Sequence, residues 1–565
     1  MAAFIPVTAV APVGARRTAW AGGAPAGGRP SAGLCAGGAA RLMPRRGAVV
    51  VPPSPLAVAG RRGGVRMAAA GAPDERVDAL VVGSGVSGST LAYRLHERGV
   101  STLLTEARDV VGGNVISRMA NGYTWEEGPN TFQPAPHILR LAVDVGLKED
   151  LVFADHTLPR FVYWKGNLYA LPMGPSDIPK FRLLSPWGAV RAGLGAAGFV
   201  LPNWSGKEES VKEFITRHLG AEVFAKMIDP FVSGVYAGDP SQLAIRGAFG
   251  KIYALQNLGI TQGIVEGAII RLRQRKAEAG DPDPELPVVK GGALGSFREG
   301  LGMLPKAVAG KLGDAVRLGW TLTELRHAPG GKPGYEAVYS TPDGPRTVHA
   351  KTVSLTAPAG AAASILGGML PAARALDEVY YPCVWSVTLS YPTTAFKRSL
   401  KGFGNLIPRA MGVRTLGTIW SSSLFPGRAP PGRELLLSYI GGAQDKGIAD
   451  LSEEEVVAAV DADIKALLLS ADAADEAPVV VGIRKWARAI PQYVRGHLEL
   501  VAGVREAAAE SCPGLFLGGN YASGVAFGDC VAWGDKAATE VVAALGNMPD
   551  DEAAVSEEAV STATV

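Results

Sequence analysis

The chain has 565 residues, with 56 Lys and Arg against 53 Asp and Glu, a formal net charge of +3 and 47% hydrophobic residues. It is too long for a single core and long enough for two or three domains. Four cysteines with no CxxC pair, seven histidines with no ligand spacing and no apolar run of about eighteen residues speak against a disulfide framework, a metal site and a bilayer-spanning helix.

In chain order, residues 1–73 come first and hold nine arginines, no lysine and no acid before Asp74. Their Ala, Gly, Pro, Val and Arg cannot bury a core, and an acid-free, Arg-rich leader reads as an organelle transit peptide. Pro6, Pro12 and Gly14 interrupt the mildly apolar start, which weakens a secretory reading. Val65-Arg-Met-Ala68 reads as a plastid processing site, so residues 1–67 are expected to be a disordered transit peptide. Its loss takes Cys35 and leaves 47 basic residues against 53 acidic ones. A mildly acidic mature chain argues against nucleic acid as a partner.

Residues 79–82 read as a short apolar strand, Gly83-Ser-Gly-Val-Ser-Gly88 as a tight turn, 87–98 as a helix and 101–106 as a second parallel strand. The glycines let backbone approach a pyrophosphate on the helix N-terminus, and Glu106 stands where a carboxylate accepts ribose hydroxyls. Strand, turn, helix and acid together predict dinucleotide binding. Gly112-Gly113 and the stretch Trp125-Glu-Glu-Gly-Pro-Asn-Thr-Phe132 follow and favour FAD over a nicotinamide.

Residues 183–204 are largely apolar, carry a single charge, Arg191, and hold Trp187 and Trp204 near their ends. They read either as a monotopic helix lying in a membrane interface or as a Gly-rich core helix. Helical periodicity fills 205–275, and 280–287 reads as a surface loop. Strands are expected at 316–325, 335–340, 348–355, 382–392 and 434–440. In Gly514–Cys530, a strand, Gly518-Gly-Asn520 and a small-residue helix start would aim amides at a flavin edge that gains negative charge on reduction. A helix follows over 531–545, and the tail from Asp550 is acidic. The nucleotide fold is thus discontinuous, with its first and last pieces closing over one FAD.

Five stretches (125–132, 229–240, 295–305, 415–430 and 489–493), in family order, make the chain resemble the plastid-type protoporphyrinogen oxidases of the FAD-dependent amine-oxidase-like superfamily, from about 77 to 545. The resemblance implies an α/β (α+β overall) fold. A discontinuous Rossmann-like FAD-binding domain would take 76–148, 290–357 and 478–545. An antiparallel-sheet substrate domain would take 149–154, 266–289 and 358–477, and a mainly helical membrane-binding domain 155–265. The acidic tail, 546–565, would be disordered. It further implies oxidation of protoporphyrinogen IX to protoporphyrin IX with three O2, giving three H2O2. The address would be chloroplast and membrane-associated, with peripheral membrane contact and possible homodimer or neighbouring tetrapyrrole enzymes as partners.

Carried over by motif, the expected FAD contacts are Gly83, Ser84, Gly85, Val86, Ser87, Gly88, Glu106, Ala107, Gly113, Asn114, Gly128, Pro129, Asn130, Thr131, Leu322, Trp486, Val525, Ala526 and Phe527. Expected substrate contacts are Arg160, pairing with a propionate, Gly234, whose carbonyl faces a pyrrole N–H, and Leu406, Ile419 and Tyr439 against the macrocycle. As bare residues, Arg160 reads as a solvated, surface-lining charge, and the last three as strand core. Trp420, Gly528-Asp-Cys530 and Leu322 depart from the commonest plastid forms. No side-chain catalyst and no metal are expected, because a flavin carries the redox chemistry. Rival readings are an amine oxidase, a carotenoid-precursor desaturase, a coproporphyrinogen III oxidase and a catalytically inactive membrane flavoprotein scaffold.

Overall fold

A computed structural model describes residues 75–278 and 283–548. The expected transit peptide, most of the acidic tail and part of the 280–287 loop lie outside these residues.

Two seven-stranded sheets organise the described chain. In the first, Glu75–Val82 pairs in parallel with Thr102–Glu106 on one side and Gly344–Leu355 on the other. Val316–Leu318 extends the parallel set beyond Glu106, and Leu515–Leu517 pairs in parallel with the far side of Gly344–Leu355. Thr321–His327 and Tyr335–Thr341 add an antiparallel meander. Side chains alternate between two cores, as a strand buried on both faces requires. Ala79, Val81 and Leu104 meet helices Val86–Glu97, Met303–Leu312 and Phe527–Gly546. Leu80, Val82 and Leu103 meet Ala359–Leu366 and His497–Ser511.

The expected strand at 316–325 is two strands. Gly319, at φ +71°, turns the chain, with its N–H donating to Arg108 O and that of Trp320 to Glu106 O. This turn docks on the end of Thr102–Glu106, next to the acid that closes the nucleotide fingerprint. The expected helix at 531–545 starts earlier, at Phe527.

The second sheet runs in the order Val479–Trp486, Val384–Pro392, Arg433–Gly441, Thr415–Trp420, Gly404–Leu406, Arg160–Trp164, Asn167–Ala170. It is antiparallel except where Gly404–Leu406 pairs in parallel with Arg160–Trp164. Helix Glu453–Leu467 covers its outer face through Val456, Val460 and Ile464. Sheet membership therefore differs from the expected boundaries at two places. The hairpin 160–170 joins this sheet rather than the helical part, and Val479–Trp486 joins it rather than the nucleotide domain. Backbone pairing decides both, and pairing partners 89 to 244 residues away leave no local trace.

A helical layer of Val211–Leu219, Asp229–Tyr236, Ile245–Tyr253 and Ile264–Glu278 packs around Phe214, Ile215, Val232 and Ile245. Ser210 and Glu213 form a capping box at its entry, and Arg217 lies in the last turn of Val211–Leu219. Helix Pro186–Ala196 lies on this layer the wrong way round for a core helix. Its buried residues are Gly188 and Gly195, whereas Trp187 is 76% exposed and Val190 and Leu194 also face out. Phe199, Leu201 and Trp204 continue the exposed row. The core-helix alternative for 183–204 fails on this arrangement.

Candidate active site

The first glycine turn and the second fold against each other. Gly112 N–H donates to Ser84 O at 3.0 Å, and Arg108 Nη2 to Gly113 O at 2.7 Å. Glu106 Oε2 accepts from both the backbone N–H and the hydroxyl of Ser84, at 3.0 and 2.7 Å, and Oε1 from Arg108 N–H at 3.0 Å. The carboxylate is held rigid at the strand end with lone pairs to spare. Gly88 has no room for a side chain: a Cβ there would stand 1.9 Å from Gly83 O. Gly85, by contrast, faces open space.

The residues present fit a bound dinucleotide. Gly85 caps helix Val86–Glu97 with no side-chain hydrogen bond, leaving first-turn amides for an anion. Ser87 Oγ is buried without a partner beside them. Ala526 likewise begins helix Phe527–Gly546 without a side-chain cap. Gly519 lies against Thr356, whose hydroxyl donates to Val82 O and Gly83 O, so the last segment meets the first turn.

The second sheet brings the expected substrate contacts to one face. Gly404 is opposite both Arg160 and Ile419; Leu406 is opposite Gly417, and Gly417 opposite Tyr439. Directly opposed residues share a face, as do residues two apart, so Arg160, Leu406, Ile419 and Tyr439 lie on the same side. Gly234, on helix Asp229–Tyr236, packs against it: a Cβ there would stand 2.4 Å from Leu406 Cδ2. Arg160 is not the surface-lining charge its sequence context allowed. It is 7% exposed, its Nη2 donates to Gly292 O at 3.3 Å, and its guanidinium lies 5.7 Å from the Phe403 ring. Burial pulls its pKa below the usual guanidinium value.

Three side chains from three neighbouring strands fasten the 125–132 segment to this face. Ser386 Oγ and Trp486 Nε1 each donate to Glu127 O at 2.8 Å, and Tyr439 OH donates to Gly128 O at 2.7 Å. The 125–132 segment and the second sheet are thereby locked in register. Ser386 escaped the sequence reading, because a serine in an apolar strand gives no signal until its cross-strand partners are known. Glu126 and Arg428 escaped it too. Glu126 is 1% exposed and accepts from Ser117 Oγ at 2.5 Å and Leu301 N–H at 2.8 Å. Burial pushes its carboxyl up to about 7, against those bonds and the Arg428 charge. Arg428 Nη1 stands 3.8 Å from Glu126 and has no hydrogen-bond partner, while Nη2 donates to Ser296 Oγ and Phe297 O.

Among the remaining expected FAD contacts, Ala107, Asn114 and Ala526 are exposed, and Val86, Gly128, Pro129, Asn130, Thr131, Trp486 and Val525 are half-buried. Asn130 Oδ1 is buried and partnerless. Phe527 stacks with Phe132 at 5.7 Å between ring centres. Leu322 is 7% exposed and packs in the core with Leu80 and Leu103, at the bulge where Thr321–His327 bends.

The flavin containing amine oxidoreductase family matches residues 86–542. A chloroplastic protoporphyrinogen oxidase of Oryza sativa subsp. japonica is 48% identical over 85% of this chain and 92% of the relative. Chloroplastic protoporphyrinogen oxidase 1 of Arabidopsis thaliana is 46% identical over 82% and 88%. A coproporphyrinogen III oxidase of Bacillus subtilis is 28% identical over 84% and 99%. In fold, the chain is similar to reduced UDP-galactopyranose mutase, with a TM-score of 0.61, 15% identity and coverage of 83% and 98%.

Proposed function

The chain belongs to the plastid-type protoporphyrinogen oxidases of the flavin containing amine oxidoreductase family, and on that premise we propose that it oxidises protoporphyrinogen IX on the sheet face carrying Arg160, Leu406, Ile419 and Tyr439. It is an FAD-dependent oxidoreductase. FAD, when bound, supplies a two-electron acceptor for a hydride leaving a methylene bridge, and the six-electron reaction would consume three O2 and give three H2O2.

The chain's own part is binding, orientation and exclusion of water. First-turn amides of Val86–Glu97 and the Ser87 hydroxyl would hold the diphosphate, and Glu106 the ribose hydroxyls. Leu406 and Ile419 offer the macrocycle an apolar surface. Arg160, sheltered from water beside Phe403, offers a propionate a charge-assisted, two-pronged contact. The observation that carries this reading is the single face shared by those residues and by Tyr439, whose hydroxyl grips the nucleotide loop.

The test is to add protoporphyrinogen to flavin-loaded protein in air and follow porphyrin fluorescence, with coproporphyrinogen for comparison. Faster turnover of protoporphyrinogen is expected. Two further carboxylates on the ring would have to be buried against Leu406 and Ile419 without partners. A preference for coproporphyrinogen, or no turnover of either, would overturn the assignment.

The exposed row Trp187, Val190, Leu194, Phe199, Leu201 and Trp204 supports attachment to one leaflet of a membrane. Among the described residues, no helix is long and apolar enough to cross a bilayer. The relatives named chloroplastic, together with the acid-free leader, support import into a plastid with loss of about the first 67 residues. N-terminal sequencing of the organelle-resident protein checks this, and an intact Met1 there would contradict it.

A further inference from the structure

Helix Phe527–Gly546 is preceded by a single helical turn, Asn520–Ser523, which ends at Gly524 with φ of +111°. A helix running on through this point would bond Gly524 N–H to Asn520 O and Val525 N–H to Tyr521 O. Side chains occupy both carbonyls instead. Tyr493 OH donates to Asn520 O at 2.5 Å and accepts from Gly524 N–H at 2.9 Å, so one hydroxyl stands between the two backbone groups. His497 Nε2 meets Tyr521 O at 2.7 Å; a carbonyl only accepts, so that nitrogen carries the proton.

The two side chains form one unit. Tyr493, which ends the 489–493 stretch, is 5% exposed and stacks on His497 at 4.1 Å between ring centres. Burial holds the phenol above its usual range and the imidazole below its own, so both are neutral donors. The pair has a firm base in the helical layer: Tyr493 O accepts from Ala244 N–H at 2.8 Å, and Gln492 Nε2 donates to Tyr236 O at 3.0 Å. On its far side, Gly524 O accepts from Cys530 Sγ, in the first turn of Phe527–Gly546, at 3.6 Å. The C=O and N–H of a trans peptide point opposite ways, so Val525 N–H is directed away from that helix. A Cβ on Gly524 would stand 2.7 Å from Asp529 Cβ, so only glycine fits between wedge and helix.

A side chain inserted into the helical ladder breaks it. We propose that the stacked Tyr493–His497 pair keeps the chain open at Gly524, leaves the Val525 amide to the flavin, and so sets how tightly reduced FAD is held relative to oxidised FAD. Both are positioning residues that act through the backbone, a role that rests on the reading that residues 525–527 meet the flavin edge. An amide aimed where negative charge grows on reduction favours the reduced form. If Gly524 N–H closed on Asn520 O and Val525 N–H on Tyr521 O, that amide would be occupied within the chain.

The readout is the reduction potential of the FAD-loaded chain, measured by spectroelectrochemistry, with Tm alongside. Tyr493→Phe keeps the ring stack and removes the hydroxyl. Its affinity for reduced FAD should fall about 10-fold more than its affinity for oxidised FAD. That lowers the two-electron potential by about 30 mV. His497→Phe, which keeps a flat ring and loses the N–H, should shift it in the same direction. His497→Gln can still donate to Tyr521 O and should recover part of the shift. If Tyr493→Phe fails to fold, the two His497 variants decide. A parental potential in Tyr493→Phe or His497→Phe, with only Tm lowered, would overturn the proposal and leave the pair as packing. A parent chain that takes up no FAD would instead overturn the nucleotide reading beneath it.

Discussion

The two sheets solve different problems. The parallel sheet is buried on both faces and presents its chemistry at a strand end, through a turn and an acid only about twenty residues apart. The second sheet gathers the proposed substrate contacts across a face, through residues from strands that begin at 160, 404, 415 and 433. A strand-end site is written locally, whereas a face site exists only once the register is set. The first should therefore fail abruptly when one turn residue changes, and the second by degrees.

The largest effect is expected at the turn. Gly88→Ala places a methyl 1.9 Å from Gly83 O, in backbone that cannot retreat without dragging helix Val86–Glu97 off its strand. Purified protein should carry almost no flavin by its visible spectrum. A flavin content like the parent's would show that the turn is not the cradle.

Next comes the seam between the two sheets, where Glu126 titrates. A carboxyl whose native pKa, about 7, lies above its unfolded value binds its proton more tightly when folded. Its contribution to stability is complete below about pH 4.5 and is lost as pH rises through 7, on the order of 3 kcal/mol. In urea titrations, Glu126→Gln should lack this loss, so parent stability relative to the variant should fall between pH 4.5 and 7. Parallel profiles would mean that Glu126 is ionised throughout.

Smaller still is Tyr439→Phe, which removes from Gly128 O one of the three side-chain bonds by which the second sheet holds the 125–132 segment. A cost of about 1 kcal/mol is expected. Turnover should fall a few-fold with flavin retained, since Ser386 and Trp486 still grip Glu127 O. Complete loss of flavin would make Tyr439 part of the cradle. The smallest effect on catalysis belongs to the exposed row. Trp187→Ser with Trp204→Ser should leave kcat in detergent unchanged but release leaderless protein from liposomes in a flotation assay. Undiminished flotation would move the membrane contact elsewhere.

Legibility in the sequence followed the same division. Gly83, Gly85, Gly88 and Glu106 announced a nucleotide site because strand, turn, helix and acid are contiguous, and the structure brings all four together. The break at Gly319 was missed although a glycine inside a strand pattern is itself a turn signal; docking on Glu106 and Arg108 holds the turn there. Helix Pro186–Ala196 stayed ambiguous because apolar composition is the same for a helix facing inward or outward; its two buried glycines decide it. The motif resemblance named Arg160, Leu406, Ile419 and Tyr439, but bare strand pattern reads the last three as core. Their common face and the burial of Arg160 come from pairing. Leu322, named by the same resemblance, sits at a bulge with its side chain in the core.

The central claim is that Arg160 meets a substrate propionate on that face, and the most direct measurement pairs a protein change with a substrate change. The parent's kcat/KM for protoporphyrinogen IX should exceed that for its dimethyl ester by roughly 10- to 150-fold, the range for losing one charge-assisted contact. Arg160→Ala should lose a similar factor on the free acid and little on the ester, so the two losses do not add. Arg160→Lys should restore part of the preference, because a point charge lacks the fork. If Arg160→Ala keeps the parent's full preference for the free acid while retaining its flavin, Arg160 is a structural residue and the substrate lies elsewhere.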